Sequence, residues 1–237
     1  CEFAGKDLLL VGSSYSAEDI GTQCYKYGAK SVTFSYRSAP MGYDWPDAFH
    51  ESPLLTRLEE RTAHFIDGTQ REVDAIILCT GYQHHFPFIA DELTLRTYNR
   101  LYPENLYKGI FFIDNPKLIY LGMQDQYYTF NMFDAQAFVA RDVVLGRLPL
   151  PEADAMAADV DAWPTKYAAV DSVMEQIDFQ TDYVRDLMTL TDYQAFDLDM
   201  VREHFVTWEH DKDESITGYR DKSFASPCTG TVGPVPS

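Results

Sequence analysis

Apolar residues fall into two regimes along this chain. In the first third they come as short, dense runs bounded by glycine, proline and polar residues. Leu8-Leu9-Leu10-Val11 is too short for a helix and stops at Gly12, so it predicts a buried strand. Ser31 to Tyr36, β-branched and aromatic, predicts a second strand, and Val73 to Leu78 another buried one. His64 to Ile66, the turn pair Asp67-Gly68 and then Glu72 to Leu78 read as a hairpin. Leu54 to Glu60 is open between a short helix and a strand, and Ser38 to Pro53 is a loop rich in proline and aromatics. Lys117 to Gly122 predicts one more strand. From there the spacing turns helical. Phe133 to Gly146 predicts a helix with Phe138, Val139, Val143, Val144 and Leu145 apolar, and Pro149 and Pro151 end it. Glu152 to about Phe205 is mostly helical in pattern, the tail from Ser226 is irregular, and no internal repeat is visible.

The strand ending at Val11 runs straight into Gly12-Ser13-Ser14-Tyr15-Ser16-Ala17. This matches the spacing G-x-G-x-x-G/A, with Ser14 in the place of the middle glycine. Gly12 permits a tight turn. A small residue at Ser14 lets backbone approach a pyrophosphate, and Ala17 lets the next helix, from about Ser16 to Gly28, pack on the strand. The N–H groups and positive dipole end of that helix would face the phosphates. The plainer alternative is a tight corner with ordinary capping by Ser13, Ser14 or Ser16. The second strand weighs against it. An acidic residue roughly 20 positions after the turn takes the ribose 2′-hydroxyl of NAD, whereas an arginine suits the 2′-phosphate of NADP. Here Arg37 ends the strand with Lys30 nearby, so NADP(H) is the expected cofactor over a merely solvated arginine.

Composition narrows the remaining classes. The chain has 237 residues with 46% apolar content, enough for one large or two smaller cores. A net charge of −18 argues against nucleic acid or an anionic membrane surface as partner. No membrane-length apolar run or signal peptide is visible. The four cysteines, Cys1, Cys24, Cys79 and Cys228, lack metal or redox spacing, which suits a reducing cytoplasm. No metal site is expected, and His84 and His85 are read as structural. The start at Cys1-Glu2-Phe3, without methionine, reads as a piece of a longer polypeptide.

Three signals stand in one order: the Gly12–Ala17 turn, the strand ending in Leu78-Cys79-Thr80-Gly81-Tyr82, and Gly122-Met123-Gln124-Asp125-Gln126. Together they resemble the flavin-containing monooxygenases, the second matching that family's A-T-G-Y element with Cys79 for alanine. The stretches 12–21, 36–46, 77–88, 106–112 and 122–137 are similar to the bacterial trimethylamine monooxygenase branch. The resemblance covers almost the whole chain. It implies an α/β, Rossmann-like flavoprotein fold with two dinucleotide-binding domains. Residues 1–82 would be the remainder of the NADPH domain, and 83–237 the C-terminal part of the FAD domain with a helical tail. The Gly-rich FAD turn and the signature stretch of that family would lie in an N-terminal part of the same protein.

The resemblance implies FAD and NADPH as cofactors and O₂ as co-substrate. NADPH would reduce the flavin, and a flavin hydroperoxide would pass its distal oxygen to a small tertiary amine such as trimethylamine. The cofactors would be held by Gly12, Ser13, Ser14, Tyr15, Ser16, Ala17, Arg37, Thr80, Gly81, Gln124, Gln126 and Thr129. Arg220 would be a second 2′-phosphate contact. Asp125 and Tyr15 are the catalytic candidates: Asp125 to hold the nicotinamide carboxamide, Tyr15 to pack on nicotinamide or the substrate entrance. Trp208 joins Tyr15 as a candidate for the substrate pocket. Plain alternatives stay open for each: a surface aromatic for Tyr15, a strand-end turn for Thr80 and Gly81, loop solvation for 124–129, a surface arginine for Arg220 and core packing for Trp208. A non-catalytic NADPH-binding module and a Baeyer–Villiger oxygenase are the competing readings of the whole. A disulfide reductase would need a C-x-x-C that the chain lacks. A homodimer is left open.

Overall fold

The computed structural model describes residues 2–95, 101–125, 127–193 and 196–234. The chain divides into two compact units, one formed by Cys1–Tyr82 with Asp211–Arg220, the other by Gln83–His210 with Asp221–Ser237.

The first unit is built on a parallel sheet of β1 (Asp7–Val11), β2 (Ser31–Ser35), β3 (Phe49–Ser52) and β7 (Ala75–Leu78), in the order β3-β2-β1-β7. Helix α1 (Tyr15–Lys26) is the crossover between β1 and β2. The unbroken apolar run of β1 has a simple cause, because both faces of the strand are covered. Leu8 and Leu10 pack with Ala17, Cys24, Val32 and Phe34, while Leu9 faces the other way onto Ala63, Phe65 and Val73. Helix α1 lies close to the sheet at Gly21, where a Cβ would stand 2.6 Å from the Phe34 ring.

The hairpin differs from expectation in its return strand. β4 (Leu55–Glu59), β5 (Thr62–Phe65) and β6 (Gln70–Glu72) form an antiparallel sheet of their own. The chain then leaves it, Asp74 N–H donating to Asp7 O at 2.7 Å, and Ala75–Leu78 pairs in parallel with β1. Glu72 to Leu78 is therefore two elements in two sheets. The last is less buried than its sequence suggests: β7 is an edge strand among the described residues, and Leu78 is 72% exposed.

The second unit is largely helical. A small hairpin, β8 (Leu106–Tyr107) and β9 (Phe111–Phe112), precedes α2 (Thr129–Val144), α3 (Ala153–Tyr167), α4 (Val173–Met188) and α5 (Leu198–Glu214). Its core joins Met132 and Val139 of α2, Trp163 of α3, and Tyr183, Val184 and Leu187 of α4. Lys117 to Gly122 does not form the strand its pattern predicts. It meets the short β9 segment at the single bridge Phe111–Ile119, and Gly122 turns away with φ +71°. No helix among the described residues is long and apolar enough to cross a membrane.

Candidate functional site

The carboxyl edge of the parallel sheet is where ligands settle in open α/β folds, and the turn between β1 and α1 stands there. Gly12 N–H donates to Ser35 O at 3.0 Å and Cys79 N–H to Val11 O at 2.9 Å, so the ends of β1, β2 and β7 are locked together. Gly12 has φ +134°, and a Cβ on it would lie 2.2 Å from the Cys79 carbonyl oxygen. Glycine is required by the left-handed backbone and by the neighbouring chain alike. Ser14 is the N-cap of α1 in an extended conformation, and its side chain takes none of the leading N–H groups of the helix. Ser14, Tyr15 and Ser16 are exposed, Ser13 is half-buried, and Ala17 is fully buried against the sheet.

The other expected residues of this unit distribute unevenly. Arg37 is exposed just beyond the end of β2. Thr80 and Gly81 follow β7 on the same carboxyl edge, both exposed, with Gly81 at φ +80°. Arg220 is engaged by Asp19 of α1, Nη2 to Oδ1 at 2.5 Å and Nε to Oδ1 at 2.6 Å, so its guanidinium already grips a carboxylate.

Beside Arg220 lies a constellation that sequence reasoning missed. Glu18, in the first turn of α1, is 2% exposed and pairs with Lys212 near the end of α5, Oε2 to Nζ at 2.8 Å. Tyr219 donates its hydroxyl to the Glu18 carboxylate. The Lys212 ammonium also lies 4.3 Å from the Tyr15 ring centroid and 5.2 Å from that of Tyr43. Burial alone would push this ammonium's pKa down, but its bonds to Glu18 and Tyr43 outweigh that and hold it above the usual lysine value. Each charge sits at the end of its helix that favours it, the carboxylate near an N-terminus and the ammonium near a C-terminus. A separation of 194 positions along the chain leaves no local pattern by which to find the pair.

In the second unit residues 122–125 and 127–129 are held from α2 and α4. Gln124 is 3% exposed, and its side chain is bonded within the unit. Its Nε2 donates to Tyr183 Oη at 3.0 Å, and its Oε1 accepts from Gln136 Nε2 at 2.9 Å. Gln136 also donates to Tyr183 Oη at 2.8 Å and accepts from Gly122 N–H, while Tyr183 donates to Lys108 O at 2.8 Å. Every group in this buried cluster is satisfied, so the Gln124 amide expected at a cofactor is used internally. Burial raises the Tyr183 phenol well above its ordinary pKa, so it stays a neutral donor. Gln180, fully buried on α4, clamps the loop through its backbone. It donates to Asp125 O and accepts from Tyr127 N–H at 2.6 Å. Asp125 itself is exposed, Thr129 begins α2 half-buried, and Gln126 lies outside the described residues. Trp208, on α5, lines an apolar hollow of about 240 Å³ with Val201, His204, Phe205, Phe224 and Pro227. His84 and His85 are exposed, His84 stacking on Phe86.

The family model described as flavin-binding monooxygenase-like matches residues 49–203. A trimethylamine monooxygenase of Methylocella silvestris is 63% identical over 98% of this chain and 52% of its own length. One from Roseovarius nubinhibens is 55% identical over 99% of this chain and 53% of its own. Among solved structures, Tmm from a Pelagibacter species superposes with a TM-score of 0.94 at 51% identity, covering 99% of this chain and 53% of that one. The S-allyl-L-cysteine S-oxygenase of Allium sativum gives a TM-score of 0.72 at 25% identity, over 93% and 52% of the two chains. The chain thus spans about half the length of the relatives it matches.

Proposed function

Because the chain belongs to the flavin-binding monooxygenase-like family, we propose that it forms part of an NADPH- and O₂-dependent flavin monooxygenase that N-oxygenates small tertiary amines such as trimethylamine. The names of its close relatives support the amine as substrate. The observation that carries the NADPH reading is the turn at Gly12. A Cβ there would run into the Cys79 carbonyl, so only glycine follows this tight turn, and the Ser14 side chain leaves the start of α1 without a cap. Such a cradle suits a pyrophosphate. NADPH supplies the hydride and the flavin carries the oxygen chemistry.

In this reading each unit has its own task. The first, residues 1–82 with 211–220, holds the dinucleotide. Gly12, Ser13, Ser14 and Ser16 contact phosphate, Ala17 seats the helix, and Arg37 takes the 2′-phosphate as a charge-assisted partner. Tyr15, exposed at the start of α1, covers the bound nucleotide and the entrance for the amine. Thr80 and Gly81 approach the cofactors with backbone from the end of β7. The second unit completes the flavin domain. Its Gln180-clamped loop presents Asp125 as a hydrogen-bond acceptor for the carboxamide of NADP⁺, and Thr129 adds a hydroxyl. Gln124 acts as a brace beneath that loop.

The decisive experiment separates the two nicotinamide cofactors. With Arg37→Ala, the dissociation constant for NADPH rises about tenfold or more, the loss expected for one charge-assisted contact. The constant for NADH stays within about twofold, a change worth under about 0.5 kcal/mol. Equal losses for both cofactors refute the 2′-phosphate assignment.

A further inference from the structure

The Glu18–Lys212 pair is a strange neighbour for an anion site. Glu18 lies one helical turn past the cap of α1, about 6 Å along the axis at 1.5 Å per residue. A buried carboxylate at that range is poorly screened, since even exposed charges interact over a Debye length of about 8 Å at physiological salt. Unpaired, it would repel the phosphates that the turn is shaped to receive. We propose that Lys212 is a positioning residue for the dinucleotide turn: it neutralises Glu18 and supports the Tyr15 ring. The inference rests on the reading of the turn as an NADP(H) site.

Three observations carry it. The two side chains are 2% and 4% exposed, so the pair has left water at a considerable desolvation cost that mere surface decoration would not incur. The ammonium lies 4.3 Å from the Tyr15 ring centroid, within the range of a cation–π contact, and Tyr15 is the first residue of α1. The segment 211–220 belongs to the first unit although most of α5 belongs to the second, and two more of its side chains reach α1. Tyr219 bonds to Glu18, and Arg220 to Asp19. Residues far along the chain are thus gathered around the first turn of α1. The net effect is a carboxylate that stabilises the helix end without presenting a net negative charge to a ligand.

A charge role and a packing role differ in the sign of their effects on binding. Lys212→Met leaves Glu18 buried and unpaired, while Glu18→Gln leaves the ammonium in excess. Both variants melt earlier than wild type, because removing either partner of a buried pair is costly. Affinity for NADP⁺, measured by isothermal titration, moves in opposite directions. Lys212→Met weakens it about tenfold or more, the order set by charges about 6–8 Å apart at an effective dielectric near about 20. Glu18→Gln binds at least as tightly as wild type. The double variant Glu18→Gln/Lys212→Met, with no net charge at the site, recovers most of the loss. Lys212→Arg keeps the wild-type value, and carries the comparison with Glu18→Gln if Lys212→Met fails to fold. Weakened binding in both single variants, or a double variant no tighter than Lys212→Met, overturns the proposal. If wild type binds no NADP⁺, or binds it indifferently to Arg37→Ala, the reading of the turn fails first and the role of Lys212 falls with it.

Discussion

Removing one oxygen atom from Tyr183 tests the buried network under the 122–125 loop. Tyr183→Phe keeps the ring, and with it the edge-on packing against Tyr102 and Trp163 at 5.6 and 5.5 Å, so no cavity opens. What is lost is the hydroxyl. The Nε2 groups of Gln124 and Gln136 each lose an acceptor, at 3.0 and 2.8 Å, and Lys108 O loses a donor at 2.8 Å. Each buried group left unsatisfied costs about 1–3 kcal/mol. Gln136 keeps its bond to Gln124 Oε1, so some of the cost is absorbed by relaxation, and the net loss should be about 3 kcal/mol. Tyr128→Phe is the internal control. The Tyr128 hydroxyl meets Thr181 Oγ1 at 2.6 Å, but Thr181 already donates to Ile177 O at 2.7 Å, so only one lone pair is orphaned. That change should cost about 1 kcal/mol. Urea denaturation followed by tyrosine and tryptophan fluorescence reads both. With a denaturant slope of about 2 kcal/mol/M, the Tyr183 variant shifts its midpoint by about 1.5 M and the control by about 0.5 M. A Tyr183 variant within about 0.5 kcal/mol of wild type, or one indistinguishable from Tyr128→Phe, would refute the network as a source of stability.

Three further outcomes follow from the same structure. Gly12→Ala forces a Cβ into the Cys79 carbonyl at φ +134°; a loss of about 3 kcal/mol should lower the melting temperature by about 6–12 °C, and an unchanged melting curve would show that the turn is not held as described. Asp125→Ala should lower the N-oxide formed per NADPH consumed and release the difference as hydrogen peroxide. An unchanged coupling ratio excludes a role for Asp125 in the reaction, whereas the Gln180 grip on the loop's backbone is retained by alanine. Asp7 is held below the usual carboxylate pKa by its bonds to Lys30 and Ser31, so its contribution to stability is present above about pH 4 and is lost as pH falls through the lower folded-state value. Asp7→Asn should therefore be less stable than wild type at neutral pH, with the gap closing in acid; a gap independent of pH would remove the carboxylate as its cause.

The parts of this protein legible in the sequence are those that local rules dictate. Leu8 to Leu10 form an unbroken apolar run because both faces of their strand are covered. A glycine forced to positive φ after that strand marks the turn, and the order of Gly12, Arg37 and Thr80-Gly81 places three segments on one edge of a parallel sheet. Helices with a long apolar stripe, such as α2, announce themselves by period. Tertiary structure alone decided matters of partnership. Glu72 to Leu78 looks like one strand, yet which sheet each half joins depends on the parallel bonds offered by β1. Lys117 to Gly122 has a strand's composition, but its partner is too short to extend a ladder. Gln124 reads as a polar group awaiting a ligand, and only Tyr183 and Gln136, brought from two helices, show that its amide is already bonded. The Glu18–Lys212 pair is the clearest case: hydrogen bonding and ion pairing act through a few ångströms of space, and no local pattern encodes a neighbour that the chain reaches only after building a second unit.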